Sequence, residues 1–256
     1  MQITGMTMSG GFNFSQPSAG VPTSGLTLLL DAGNSTSYSG AGNTWTDLSP
    51  SSKNGNIQAN VSWVSNGASS YFNFAGDAND YVIVPQFTAL NSATTFSQST
   101  WFQLSSFNIA SDGTWFSWGQ NGTVTSVFFT MGGQLNPYIE IGTFFDGTSV
   151  VNPFDQNEWV NFTLTYNGNA GSTNGDRVKI YVNGVLTTLT NPGTSQIPAL
   201  LPDYSTNANI VIGGQAFNIT EGKLKANLAY TSVYDRALSS TEATNIFNAL
   251  KSRYGY

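Results

Sequence analysis

The carboxylates are the first side chains that could do chemistry, because the chain has neither histidine nor cysteine. A glycoside hydrolase needs two carboxyl groups about 5–10 Å apart. The glutamates are Glu140, Glu158, Glu221 and Glu242, and only Glu140 falls in the middle of a predicted strand. No carboxylate follows it at two or four residues, where side chains of one strand face share a surface. We therefore expect no enzymatic activity and no hydrolysis of common β-glucans.

The residues that other catalytic mechanisms require are also absent from the sequence. A serine or cysteine nucleophile needs a neighbouring base, and no Ser–Lys spacing stands in for the absent histidine. No glycine-rich loop ends in Gly-Lys-Ser or Gly-Lys-Thr, so the sequence predicts no nucleotide phosphate site.

One compact group of oxygen-bearing side chains precedes a predicted strand: Asp77, Asn79 and Asp80. Carboxylate and amide oxygens are the ligands that Ca²⁺ prefers. Asp and Asn are also the ordinary residues of tight turns. The sequence thus leaves two interpretations of this loop, a calcium site and simple turn chemistry.

Aromatic side chains are the candidates for sugar binding. Most of the six tryptophans lie in alternating segments that predict a core position. Trp115 and Trp118 are three residues apart, so on a regular strand they face opposite sides and one is expected to be exposed. Tyr204, in the long polar loop 191–207, is the third candidate.

The charge pattern excludes several partners. Only 9% of residues are charged, and the formal net charge is −6. Nucleic acids and anionic lipids select basic surfaces, so we expect neither as a partner. No run of 18 apolar residues predicts a membrane span, and the first residues do not resemble a secretory signal. A surface of Ser, Thr, Asn and Gly suits a virion or an extracellular location.

Residues 1–24 differ from the rest of the chain. They hold several glycines and end in a Ser/Pro/Gly stretch, so they predict an extended arm and not a domain. Four apolar side chains, Ile3, Met6, Phe12 and Phe14, favour docking of this arm on a partner over a frayed terminus.

Residues 25–256 predict one all-β domain with a short C-terminal helix. Short aromatic and β-branched segments alternate with Gly and Asn turns, as in a sandwich or barrel. Two alternating segments meet at Asn183-Gly184, the strongest short-range signal for a β-hairpin. Ser239 and Glu242 form the pattern of a capping box at the start of the final helix.

Three ordered stretches resemble the laminin G-like branch of the concanavalin A-like superfamily. They are Gly25–Gly55, Tyr71–Pro85, and Asn157–Gly184 together with the closing segment Val233–Leu250. The resemblance implies a two-sheet antiparallel jelly-roll sandwich, often with Ca²⁺ at its rim. Domains of this kind recur on tailed-phage virions, and residues 3–14 look like the start of such structural proteins.

The sequence therefore predicts a non-enzymatic virion structural protein, either a capsid decoration or a tail-fibre or tail-associated component. Its expected partners are other virion proteins and copies of itself, with cell-surface glycans as a further ligand. The alternative is a carbohydrate-binding module or lectin domain of a bacterial surface or secreted protein.

Overall fold

The computed structural model describes residues 17–104, 113–121, 126–131, 137–142, 147–149, 154–190, 197–219 and 222–256. No helix in these ranges is long and apolar enough to cross a bilayer. The predicted arm residues Ile3, Met6, Phe12 and Phe14 lie outside the described residues.

The described residues form strands rich in β-branched and aromatic side chains, which fit a pleated, half-buried surface. In chain order the strands are β1 Leu26–Asp31, β2 Thr44–Trp45, β3 Gly55–Ile57, β4 Ser62–Val64, β5 Tyr71–Ala75, β6 Val82–Val84, β7 Thr95–Leu104, β8 Gly113–Gly119, β9 Ser126–Met131, β10 Pro137–Gly142, β11 Gly147–Ser149, β12 Trp159–Asn167, β13 Val178–Val182, β14 Val185–Thr187, β15 Leu189–Thr190, β16 Asn209–Ile212 and β17 Lys225–Tyr234. The helices are α1, Asn174–Arg177, and α2, Ser240–Leu250.

These strands build two antiparallel sheets. The first has the order β14-β13-β12-β7-β17-β5-β4, and β1 pairs with the second half of β17. The second has the order β15-β11-β10-β9-β8-β16-β6-β3-β2. One continuous apolar core, which includes Phe72, Phe102, Trp115 and Phe162, fills the space between the sheets. The predicted two-sheet antiparallel sandwich with a C-terminal helix is confirmed.

Helix α2 covers the outer face of the first sheet. The side chain of Ser239 accepts a hydrogen bond from the backbone of Glu242, whose carboxylate accepts one from the backbone of Ser239, so the predicted capping box is present. Ile246 and Leu250 are buried against the sheet, and Phe247 stacks on Trp101 with ring centroids 5.6 Å apart. The helix thus closes a second apolar cluster outside the sandwich.

The segment that precedes β1 packs on the sandwich. Val21 is buried, and Gly20 lies so close to α2 that a Cβ atom there would be 3.4 Å from the Cβ of Ala249. The guanidinium of Arg236 donates a hydrogen bond to the carbonyl of Ser24. Residues 17–24, the end of the predicted arm, are therefore held beside α2 and β17.

The predicted hairpin forms as expected between β13 and β14. Asn183 and Gly184 have φ values of +50° and +75°, as a type I′ turn requires. A Cβ atom on Gly184 would lie 3.1 Å from both the Cβ of Phe247 and the Cα of Thr244. The turn thus needs glycine for its backbone angle and for its contact with α2. The chain then leaves the first sheet, because β15 pairs with β11 of the second.

We expect Gly184→Val to lower the free energy of unfolding by more than about 1 kcal/mol, because a β-branched residue resists positive φ and meets α2. Thermal unfolding measures the change. Gly42→Val is the matched control, since Gly42 has a φ of +86° but open space around its Cβ position. The control should lose only the stability that depends on the backbone angle, because its new side chain meets no neighbour. An unchanged melting temperature for Gly184→Val would contradict the turn assignment.

Candidate functional site

A shallow and open polar depression of about 390 Å³, which we call the amide cleft, lies at one end of the second sheet. There β6 and β8 end and β16 begins, because β16 runs antiparallel between them. Six of the described side chains line the amide cleft: Gln86, Gln120, Asn121, Thr206, Asn207 and Asn209. Five carry carboxamides, one carries a hydroxyl, and none is ionisable.

Hydrogen bonds fix one wall of the amide cleft. The side-chain oxygen of Asn209 accepts from the backbone N–H of Gln86 at 3.1 Å, and its NH₂ donates to the carbonyl of Asn207 at 3.2 Å. Gln86 has a φ of +52°, which turns the chain sharply after β6. By contrast, Gln120 and Asn121 make no side-chain hydrogen bond to the described residues. Their amides therefore keep both donors and acceptors for a ligand.

Two predicted sugar-binding residues, Trp118 and Tyr204, lie together beneath this cleft. Their ring centroids are 5.0 Å apart. The indole N–H of Trp118 donates to the carbonyl of Phe87 at 2.9 Å, next to Gln86. Tyr204 leads directly into the single helical turn Ser205–Asn207. Burial raises the pKa of Tyr204 to about 12, so its hydroxyl stays neutral at physiological pH.

The expected exposure of these aromatic rings is wrong. Trp115 and Trp118 are fully buried, and Tyr204 is almost fully buried, so none presents an open ring face to solvent. A β-bulge explains why both tryptophans are buried. Thr114 pairs with Thr130 but Phe116 pairs with Phe129, so Trp115 is an extra residue in the strand. The bulge breaks the alternation, and Trp115 packs against core rings on the same side as Trp118.

Sequence reasoning missed the amide cleft itself. Its signal was an amide beside the end of each of three strands: Gln86 after β6, Gln120 after β8 and Asn209 at the start of β16. These positions are more than 30 residues apart in the chain. Only the order β6-β16-β8 brings them together.

The loop of Asp77, Asn79 and Asp80 is closed by its last residue. One carboxylate oxygen of the buried Asp80 accepts from the backbone N–H groups of Ala75 and Asp77 at 2.8 and 2.9 Å. Its other oxygen has no partner among the described residues, whereas Asp77 and Asn79 are exposed.

Asp80 also faces a cation of the protein itself. Burial lowers the pKa of Lys223, and the negative charge of Asp80 opposes that shift. The described residues contain no group of three or more acidic, histidine or cysteine side chains placed to hold a metal ion. Calcium binding at this loop stays a prediction, which a calcium titration tests.

Two other carboxylates, those of Asp47 and Glu242, make hydrogen bonds within the fold. Asp47 is buried, which raises its pKa, and its two oxygens accept hydrogen bonds from the backbone of Leu29, Ser49 and Lys53. Hydrogen bonding to Arg236 lowers the pKa of Glu242 to about 2. Glu140 lies on β10 opposite Phe128, and Glu221 lies outside the described residues.

The fold defines a lectin-like β-sandwich. The sequence model of the laminin G type, described as the concanavalin A-like lectin/glucanases superfamily, matches residues 75–244. This match covers more than half of the chain, and the chain belongs to that superfamily. No curated protein sequence matches the chain.

Solved structures share the sandwich over most of its length. A sialidase from Trypanosoma rangeli, in complex with a difluorinated KDN derivative, is 17% identical with a TM-score of 0.63; the match covers 92% of this chain and 34% of the sialidase. Domain 4 of the arabinanase AbnA from Geobacillus stearothermophilus, in complex with arabinotriose, is 15% identical with a TM-score of 0.57. The match covers 88% of this chain and 99% of that domain. The binding domain of botulinum neurotoxin serotype G is 16% identical with a TM-score of 0.58. The match covers 89% of this chain and 51% of the binding domain. The chain spans about a third of the sialidase, and these likenesses show the fold alone.

Proposed function

We propose that this protein is a non-catalytic sandwich that binds uncharged glycans in the amide cleft. The cleft itself is the observation that carries the proposal. Each carboxamide offers a donor and an acceptor, and so matches a sugar hydroxyl, which both donates and accepts. The six lining side chains hold no charge for a carboxylate or phosphate of a ligand to pair with.

The solved relatives support a binding role. Domain 4 of the arabinanase is one domain of a larger enzyme and was solved with arabinotriose, an uncharged oligosaccharide. The neurotoxin relative is also a binding domain. Sandwiches of this shape therefore occur as recognition modules.

Absence of catalysis is part of the proposal. Asp31, Asp47, Asp176 and Glu242 all accept hydrogen bonds that close turns, cap helices or pair with arginine. A carboxylate held in this way is a poor proton donor or nucleophile, because its lone pairs are already used.

We further propose that residues 1–24 attach the sandwich to an assembly, as a capsid decoration or a tail component of a virion. The apolar side chains Ile3, Met6, Phe12 and Phe14 and the charge-poor composition support this placement. The alternative is a lectin domain of a bacterial surface or secreted protein. Neighbouring capsid or tail genes would support the virion role, and neighbouring polysaccharide-degradation genes the alternative.

We expect the double variant Gln120→Ala/Asn121→Ala to weaken glycan binding about 10- to 100-fold. The reason is the loss of two amides, each contributing about 0.5–1.5 kcal/mol through hydrogen bonds. Its melting temperature should not change, because neither side chain bonds to the described residues. Calorimetric titration with a panel of uncharged oligosaccharides, arabinotriose included, measures the affinity.

Gln58→Ala/Asn60→Ala is the control, since it removes two amides at the other end of β6, where the backbone N–H of Gln58 donates to the carbonyl of Tyr81 and its side chain donates to the carbonyl of Asn56. The control should bind normally. The same samples should release no reducing sugar. Binding confined to sialylated or uronate-containing glycans, or equal loss in both double variants, would refute the amide cleft as the site.

A further inference from the structure

Asn-Gly dipeptides are unusually frequent in this chain. There are six of them, and they begin at Asn54, Asn66, Asn121, Asn167, Asn174 and Asn183. An asparagine before glycine deamidates more readily than before other residues, because glycine has no Cβ to hinder attack of its backbone nitrogen on the asparagine side chain. Gly122 lies outside the described residues, so the structure ranks the other five.

Four of these five asparagines, which we call the held asparagines, have their side chains fixed by hydrogen bonds. In each the side-chain oxygen accepts from a backbone N–H group: Asn54 from Asp47 at 3.0 Å, Asn167 from Asn169 at 3.1 Å, Asn174 from Ile197 at 2.7 Å and Asn183 from Asn161 at 2.9 Å. The backbone N–H of Gly168 also donates to the carbonyl of Thr94 at 2.7 Å, so that nitrogen is engaged. A held asparagine must break its hydrogen bond before its side chain can turn toward the next nitrogen.

Asn66 is the exception among the five. It is exposed, and its side chain makes no hydrogen bond to the described residues. The backbone N–H of Gly67, which is also exposed, donates to no described residue. A Cβ atom on Gly67 would meet nothing within 4 Å, so there is open space beside this backbone nitrogen. Both reacting groups are therefore free, and a five-membered ring has room to form.

We propose that Asn66-Gly67 is a site of spontaneous deamidation, at which the folded protein reacts faster than at any held asparagine. The backbone nitrogen of Gly67 bonds to the side-chain carbon Cγ of Asn66 and loses its proton, and the side-chain nitrogen leaves as ammonia. The product is a succinimide ring. One water molecule then opens the ring at either carbonyl, which gives aspartate or isoaspartate. The inference is independent of the amide cleft and of the proposed role of residues 1–24.

Reaction at Asn66 would act on the C-terminal segment through the turn that follows it. The carbonyl of Asn66 accepts from the backbone N–H of Ser69 at 3.1 Å, which closes this turn. The turn contacts Arg253 twice, because the carbonyl of Ala68 accepts from its guanidinium at 2.6 Å and the hydroxyl of Ser69 donates to its carbonyl. Isoaspartate adds a methylene group to the backbone of the turn. We therefore expect the isoaspartate product to weaken the contacts with Arg253 and to lower the melting temperature.

Mass spectrometry of peptides from the full chain tests the inference after incubation at mildly alkaline pH. Chymotrypsin cleaves after aromatic residues, so cuts after Trp63 and Tyr71 release residues 64–71, in which Asn66 is the only asparagine. In the folded protein Asn66 should react at least about ten times faster than each held asparagine, because each of those must first break a hydrogen bond. In denaturant the five asparagines should react at similar rates, since their hydrogen bonds are then lost.

Asn66→Gln is the matched control, because glutamine keeps the amide but would have to close a less favourable six-membered ring. Its 64–71 peptide should stay unmodified, and its melting temperature should not fall during an incubation that lowers the melting temperature of the unchanged chain. Reaction of any held asparagine as fast as Asn66 in the folded protein would overturn the inference. A melting temperature that stays constant after Asn66 has become isoaspartate would refute the effect on the contacts with Arg253.

Discussion

The substitution Asp31→Ala should lower the free energy of unfolding by about 3–5 kcal/mol, the usual cost of removing one partner of a buried ion pair. Arg253 donates two hydrogen bonds to the Asp31 carboxylate, at 2.9 and 2.6 Å. The two side chains are only 12 and 6% exposed. Alanine at position 31 would leave the guanidinium buried without its counter-charge.

The pair also joins three distant parts of the chain. Asp31 ends β1 and accepts from the backbone N–H of Gly33 at 3.0 Å, while Arg253 donates to the carbonyl of Ala68 at 2.6 Å. Urea unfolding measures the loss. The double variant Asp31→Ala/Arg253→Met separates charge from packing: if the unpaired charge is the cause, this variant is more stable than Asp31→Ala alone. A cost below about 1 kcal/mol for the single variant would show that water reaches Arg253 and replaces the carboxylate.

Features set by local pattern were predictable from the sequence. The hairpin at Asn183-Gly184 and the capped helix α2 depend on residues within a few positions of one another, and both form as predicted. The sandwich followed from several such segments in a familiar order.

Features set by distant partners were not predictable. β7 begins at Thr95 and includes the polar run Ser97–Thr100, which is buried and hydrogen-bonded to other strands. The hydroxyl of Ser99 bonds to that of Thr163 at 2.8 Å, and the hydroxyl of Thr100 to that of Thr231 at 3.0 Å. A run of polar residues suggests a loop until those partners, 64 and 131 residues away, are known.

The amide cleft depends on the same kind of long-range information. Sheet order brings Gln86, Gln120 and Asn209 together, and a single-residue bulge decides which side Trp115 faces. Aromatic residues were reasonable candidates for sugar binding by type. The burial of Trp118 and Tyr204 instead favours a supporting position beneath the polar lining for these two, whereas Trp115 lies in the core.

We expect Trp118→Ala to lower the free energy of unfolding by about 3–5 kcal/mol and to abolish glycan binding where the protein still folds. The indole is fully buried, packs on Tyr204 and bonds to the carbonyl of Phe87. Its removal leaves a cavity directly under the amide cleft and releases the turn that carries Gln86. Urea unfolding and calorimetric titration with the same oligosaccharide panel measure the two effects.

Smaller changes distinguish positioning of the cleft from general loss of packing. Trp118→Phe keeps an aromatic ring but removes the hydrogen bond to Phe87, so glycan affinity should fall together with about 0.5–1.5 kcal/mol of stability. Trp115→Phe is the matched control, because Trp115 is equally buried on the same strand and its indole N–H has no partner among the described residues. It should lose stability through packing alone and keep full affinity, since its ring lies among Phe102 and Phe162 in the core. Equal loss of affinity in both phenylalanine variants would mean that the cleft responds to any loosening of the core, and the hydrogen bond from Trp118 would then have no special part in shaping it.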